Sequence, residues 1–454
     1  GGGMLIKAVP DREGSVNKGL LCARGRFGFD CAELEERLNA PLVKHGNVLE
    51  QTDYHEAAVR TAKGLQAVAA RHGKDAVAVS ISARMTNEEA FAMKQLADAI
   101  GARTLCFDHR ENGLKRVLGF DASPNTIDEL LSTDVILAVG FTAAKSVMRV
   151  KLMQAAKNGA KIVLINPEGA EQELAFLHKA VYVKNDLSFL KELARALLDL
   201  GKTSSAQGFD AFAESLSGVT PGEQAREVAA LYAGAKKAMI LCQQNPLTAD
   251  AAALLAEIAA LSGHLNAPRD GILQLRSKNN SQGLIDLGIT AGGEAMEGVK
   301  ALLTFGEDPQ AASVKDLEFL AVCDVHLTDT ARRADVVFPG TGFACAEGTF
   351  TSTERRLQPV HAAIDSDVPL LNWQVAGAIA QVYEVALPYG DEADLSAALD
   401  AALPVYRNAR LGEVTGGVLT CAAPVFAPVP AGAALVAPTP CADYLMNLMD
   451  SRMP

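Results

Sequence analysis

Long apolar runs are missing from this sequence: none approaches the roughly 20 residues a bilayer span needs, and no charged n-region, apolar stretch and cleavage site opens it. A soluble, cytoplasmic protein is expected. Positive charge is in deficit as well. At a formal net charge of −12 the chain lacks the basic footprint that nucleic acid or an anionic membrane would require, which leaves small molecules and other proteins as partners. The eight cysteines (Cys22, Cys31, Cys106, Cys242, Cys323, Cys345, Cys421, Cys441) contain no C-x-x-C and the eight histidines no H-x-x-x-H, so neither a disulfide framework nor a self-contained zinc site is written here. G-x-G-x-x-G and G-x-x-x-x-G-K-[ST] are absent, which removes direct support for a dinucleotide or P-loop site.

What is present is length and alternation. The 454 residues exceed the roughly 100–200 of one domain and predict two or three packed units. Ala76–Ser82 reads as a buried strand, and Thr86-Asn87-Glu88-Glu89 as a capping box that opens a helix ended by Gly101. Strands are expected at Val135–Val139, Lys161–Ile165, Ala238–Cys242, Ala301–Phe305 and Leu320–Val325. Helices are expected over Ser146–Lys157, Leu187–Leu200 and Ala249–Leu261. This alternation predicts an α/β fold of two doubly wound parallel-sheet subdomains. Ligands of such sheets lie at the carboxyl ends of strands, which directs attention to Ser82–Thr86, Gly140–Lys145, Asn166–Ala170, Gln243–Thr248 and Gly306–Pro309. After Gly416 the chain turns Ala/Pro-rich and reads as an extended arm, closing on the apolar patch Asp443–Met449, which suits either docking or folding back.

Four segments in one order carry a resemblance. They are Val16–Gly28 (VNKGLLCARGRFG), Ser82–Glu89 (SARMTNEE), Arg276–Gly283 (RSKNNSQG), and Leu327–Ala331 running through Ala334–Pro339 to Glu347–Arg356 (EGTFTSTERR). Together they resemble the molybdopterin oxidoreductase superfamily: the formate dehydrogenase alpha subunit and the large iron-sulfur subunit of NADH:quinone oxidoreductase. The resemblance implies a pterin pocket near Lys278, Asn279, Asn280, Gly348, Thr349, Arg355 and Arg356. The last loop suits this chemically, with Gly348 free to turn, hydroxyls on Thr349, Thr351, Ser352 and Thr353, and forked donors on Arg355 and Arg356. The alternative is that Glu354 and the two arginines form an ion network tying the loop to the core, and here that reading is preferred.

The sequence departs from the family pattern in several places. The family's cluster motif has three further cysteines before the one matched by Cys22, yet none occurs in the 21 residues that precede it. Cys22 is thus a [4Fe–4S] ligand only if cysteines lie upstream, and Gly1-Gly2-Gly3-Met4 reads either as a cloning scar or as a chain entered partway along. Where formate dehydrogenases place a metal-binding Cys followed by His, Phe107–Lys115 aligns Leu114 and Lys115. Leucine cannot bind a metal. Cys106 falls several residues early and reads as core, as does His109, which follows Asp108 at a strand end. Phe141–Lys145 lacks the family's phosphate-contacting residues. The barrel-like C-terminal domain of the family is read as missing, with an Ala/Pro-rich tail in its place.

The organisation expected is therefore an iron-sulfur remnant at 1–45, a first α/β subdomain at 46–130 and 266–385, a second at 131–265, and a tail, linker and docking segment at 386–454. The leading expectation is a degenerate subunit, scaffold or electron-transfer component, of a multi-subunit NAD(H)-linked iron-sulfur oxidoreductase. Its partners would be flavin/NAD-binding and iron-sulfur subunits. It would have no catalytic or metal-ligating residue of its own, no resident cofactor and no molybdopterin. The alternatives are an active formate dehydrogenase-type subunit and a module binding a nucleotide or pterin-like ligand.

Overall fold

The computed structural model describes residues 4–13, 17–29, 37–142, 147–170, 172, 174–244, 247–403, 406, 419–435 and 441–442. In chain order its strands are β1 (Leu42–His45), β2 (Val48–Gln51), β3 (Val77–Ile81), β4 (Arg103–Leu105), β5 (Val135–Val139), β6 (Lys161–Pro167), β7 (Lys179–Val183), β8 (Ala238–Gln243), β9 (Gly271–Leu275), β10 (Ala301–Phe305), β11 (Asp308–Pro309), β12 (Phe319–Asp324), β13 (Val336–Pro339), β14 (Gly348–Thr351), β15 (Leu357–Val360) and β16 (Cys441–Ala442). Two sheets dominate. The first has the order β2-β1-β13-β12-β10-β3-β4, and the second β7-β6-β5-β8-β9. All five strands of the second are parallel, as are β13 through β4 of the first, whereas β1 and β2 add an antiparallel hairpin at its edge.

The central parallel strands are mostly apolar because helices cover both of their faces. β3 is buried at every position, as are β5 and β10. One face of the first sheet packs Val79, Ile81, Leu303 and Phe305 against Leu65, Met93, Leu96 and Ile379 from helices Tyr54–His72, Asn87–Ile100 and Asn372–Val382. The other face packs Leu105, Leu302 and Val322 against Ala331 and Val337. The second sheet is likewise covered on both faces. The expected capping box forms, with the Thr86 hydroxyl accepting from the Glu89 amide and the Glu89 carboxylate accepting from the Thr86 amide, and Gly101 closes that helix in the left-handed region. No helix among the described residues is long and apolar enough to cross a membrane.

Three expectations need correction. The chain returns to the first sheet later than residue 266, because Gly271–Leu275 is a strand that pairs with β8 and so belongs to the second sheet. The N-terminal portion to residue 45 is more than a remnant: β1 pairs with β13 and joins the edge strand β2 to the first sheet. The segment from 386 is not wholly a tail. Asp391 caps a helix over Glu392–Ala402, and its Leu395 and Leu399 are buried in the first core, since their i, i+4 spacing puts both on one face. The arm at 419–435 lies against the second layer. Its Phe426 is buried against Phe209 and Phe212 at centroid distances of 5.5 and 5.1 Å. Cys31, Ala143–Lys145 and the patch Asp443–Met449 fall outside the described residues.

Candidate functional site

In an open parallel sheet the crevice for a ligand opens where successive connections leave in opposite directions. In the first sheet that point lies between β3 and β10. The loops leaving β10, β4 and β9 send Glu307, Asp108 and Lys278 into one buried cluster. Lys278 forms an ion pair with Asp108, their side chains only 8% and 9% exposed. Glu307 is 1% exposed and accepts from the Phe107 amide at 3.0 Å and from the Cys106 thiol at 3.4 Å. Burial pushes the Glu307 carboxyl up to about 7, opposed by the Lys278 ammonium. Asp324, at the end of β12, is likewise raised to about 7 by burial. Burial and the neighbouring Glu307 carboxylate push the Cys106 thiol well up, which disfavours the thiolate a metal would need. His109 is fully enclosed. Its Nδ1 lies 2.8 Å from the Ile289 carbonyl, and burial lowers its pKa to about 4.

The expected pterin-pocket residues divide into separate networks. Asn280 donates to the Met85 carbonyl and accepts from the Thr351 amide, both at 2.8 Å. Thr349 gives its amide to Glu88 at 2.7 Å and its hydroxyl to the same carboxylate at 3.0 Å. Asn87 donates to the hydroxyls of Thr349 and Thr351. These bonds clip β14 to the start of helix Asn87–Ile100. Gly348 is required there: at φ +132° any Cβ would lie 2.4 Å from the Glu88 carboxylate. Asn279 is exposed. Lys278, three residues before the helix Ser281–Asp286, leaves this group for Asp108.

Arg355 and Arg356 point away from β14. Arg355 adopts the left-handed region at φ 62°, and its buried guanidinium donates to the carbonyls of Ser123 at 2.9 Å and Pro124 at 3.4 Å. Arg356 pairs with Glu354 at 2.7 Å, and Glu354 also accepts from the Ile127 amide. Arg356 and Glu354 thus form an ion pair that ties the loop to residues before β5, whereas Arg355 holds main-chain carbonyls there. Arg355 also lines a cleft of about 510 Å³ with Lys115, Asp121 and Asp286. Cys22 is elsewhere. Its half-buried sulfur accepts from the Gly25 amide at 3.4 Å and caps the helix Ala23–Phe27.

Sequence reasoning missed Glu307 and Asp108 as site groups, although the loop Gly306–Pro309 was marked by its place after a strand. It also missed the link of Arg276, buried to 1% of its side chain, to Asp121 at 2.7 Å. A basic residue two before Lys278 in a matched segment was the available signal.

The sequence signature described as molybdopterin oxidoreductase matches residues 37–381. The chain belongs to the molybdopterin oxidoreductase family. It is 27% identical to the F420-dependent formate dehydrogenase 2 subunit alpha of Methanococcus maripaludis, over 84% of this chain and 67% of that protein. It is 27% identical to formate dehydrogenase H of Escherichia coli, over 83% of this chain and 65% of that protein. It is 27% identical to the NADPH-Fe(3+) oxidoreductase subunit alpha of Geobacter sulfurreducens, over 79% and 51%. The chain thus spans between half and about two thirds of the length of these relatives. The acetylene hydratase of Pelobacter acetylenicus shares the fold, at a TM-score of 0.63 and 13% identity over 80% of this chain and 64% of that one. The family's own description names molybdopterin, so the expectation that this chain does without it finds no support among its relatives.

The residues present fit the family's metal poorly. Leu114, at the position the resemblance gives to the metal ligand, is fully buried in the helix Gly113–Leu118, which packs on the helix Ala249–Ser262. That packing is close enough that a Cβ on Gly113 would lie 1.7 Å from the Ala249 carbonyl. An iron-sulfur cluster needs several thiolates, whereas no group of three or more His, Cys, Asp or Glu among the described residues is placed to hold a metal ion.

Proposed function

We propose that this chain is a subunit of a multi-subunit, NAD(H)-linked iron-sulfur oxidoreductase in which the molybdopterin-enzyme fold serves as a scaffold, without a catalytic molybdenum of its own. The observation that carries this reading is Leu114, an aliphatic side chain packed into a helix–helix contact where the resemblance expects a metal ligand. The Lys278–Asp108 pair supports it. A buried lysine and carboxylate satisfy each other's charge, and separating them is costly. Partner subunits are supported by relatives named as alpha subunits. Flavin- or NAD-bearing and iron-sulfur partners are the kind such a scaffold would hold. Cys22 would join an electron path only beside thiols from another segment, and the reading assigns it no step.

The competing reading, a formate dehydrogenase-type active site, needs Cys106 as metal ligand. That thiol lies in the core beneath Glu307. Formate-dependent dye reduction by the assembled complex distinguishes the two. Any turnover detected should be the same in the native complex and in one carrying Cys106→Ala with an unchanged circular dichroism melting curve. Abolished turnover in that folded variant would restore the catalytic reading.

A further inference from the structure

Beside the clip between β14 and the helix Asn87–Ile100 lies a cavity of about 310 Å³, bounded also by the helices Asn372–Val382 and Glu392–Ala402. Its size is that at which ligand pockets begin, about 300 Å³. Glu88, Glu89, Glu347 and Glu392 line it, together with His361 and Trp373. Glu88 and Glu89 occupy the first turn of one helix and Glu392 the first turn of another, where the helix dipole favours carboxylates. Each helix accounts for its own acids, and packing then turns them toward one another.

The resulting charge is not neutralised from within. Burial raises the Glu88 carboxyl to about 6 against the Thr349 hydrogen bonds, and the Glu89 charge adds to the rise. Partial burial also raises Glu392, with the Glu347 and Asp391 carboxylates adding to it. The hydrogen bonds in place come from neutral donors: Glu88 accepts from Thr349, and Glu89 from Thr86 and Asn372. His361 lies 2.7 Å from Glu347 at the open edge, and no lysine or arginine among the described residues lines the cavity.

A second, independent feature sits in the cavity wall. Trp373 is 8% exposed, its ring meets Tyr389 edge to face with centroids 5.9 Å apart, and its indole N–H has no hydrogen-bond partner. Buried donors are nearly always paired, so this one marks a missing acceptor. The carboxylates repel phosphate-bearing ligands. A metal ion would leave the indole unpaired, and no group of three or more His, Cys, Asp or Glu among the described residues is placed to hold one. A peptide carries both complements, a basic side chain for the carboxylates and a main-chain carbonyl for the indole. We propose that this cavity docks a lysine- or arginine-bearing segment of another polypeptide, its basic group entering among Glu88, Glu347 and Glu392 and its backbone carbonyl accepting from Trp373. The cavity shares no residue with Leu114 or the Lys278–Asp108 pair, so this proposal and the scaffold reading can fail separately.

Trp373 is the only tryptophan in the chain, so its fluorescence reports on this cavity. The full chain is titrated at low ionic strength with the blocked peptides acetyl-Gly-Lys-Gly-amide and acetyl-Gly-Arg-Gly-amide. Acetyl-Gly-Gln-Gly-amide is the uncharged control, and cadaverine supplies an amine without a carbonyl. At least one basic peptide should change the emission saturably, the control should not, and cadaverine should bind about threefold or more weakly. Glu392→Lys, at an exposed helix position, sets a like charge against the peptide and should weaken its binding about tenfold or more with an unchanged melting curve. Should that variant melt early, Glu347→Gln makes the same test with an expected loss of about threefold. Emission unmoved by both basic peptides, an equal response to the control or to cadaverine, or undiminished binding by the folded variant would each overturn the proposal.

Discussion

The two sheets of this protein leave the same kind of opening, and each is filled differently. In the first sheet the opening between β3 and β10 holds side chains from three loops, with Lys278 paired to Asp108 and Glu307 buried beside them. In the second the opening between β5 and β8 is filled by main chain, with the arm's carbonyls meeting donors beside two helix starts. A charged plug is specific and costly to disturb, because a buried ion left without its partner is heavily penalised. A main-chain plug of single hydrogen bonds is cheap to lift. The ion pair therefore belongs to the structure of the core, and the arm is the easier of the two to displace.

The sharpest way to break that contrast is Lys278→Met. Removing the ammonium from Asp108 should cost about 3–5 kcal/mol in urea unfolding, and a loss below about 1 kcal/mol would mean the pair is not a plug. Next comes Phe426→Ala in the arm, which should cost about 3 kcal/mol because the ring is 3% exposed between Phe209 and Phe212. An unaffected melting curve would show that the arm is not anchored as described.

The two regions also share a titration. Burial raises Glu307 and Glu257 from 4.5 to about 7 each. The folded protein therefore holds protons between those pH values that the unfolded chain has released. Stability contributed by each group is full below pH 4.5 and is lost as pH rises through about 7. Near the middle of that window the slope should approach about 1.4 kcal/mol per pH unit for each group. Glu307→Gln and Glu257→Gln should each flatten the stability curve on its own, and a curve unchanged by both would refute the assignment. The smallest effect is expected at Arg356→Ala. Its pair with Glu354 is partly exposed and Glu354 keeps the Ile127 amide, so the loss should be about 1 kcal/mol.

Much of the sheet architecture was legible because its signals are local. β3, β5, β8 and β10 are short, mostly apolar runs, and the Thr86–Glu89 box needs only four residues to announce a helix. β9 was not read as a strand, and so the changeover between sheets was set too early. The helix Glu392–Ala402 was missed because only Leu395 and Leu399 mark its buried face. The site was legible as loops and not as contacts. Lys278 and Asp108 are far apart in sequence, and nothing local marks them as partners. The arm's composition suggested an extended chain. Where it would lie depended on Phe426, Asn185 and Thr248, whose roles appear only when the second layer is assembled.

The scaffold reading turns on Leu114, an aliphatic side chain packed where the resemblance expects a metal ligand. Elemental analysis of the purified complex, with this chain quantified by amino-acid analysis, tests that most directly. Molybdenum and tungsten are expected far below one atom per copy of this chain; a value close to one for either metal would overturn the scaffold reading.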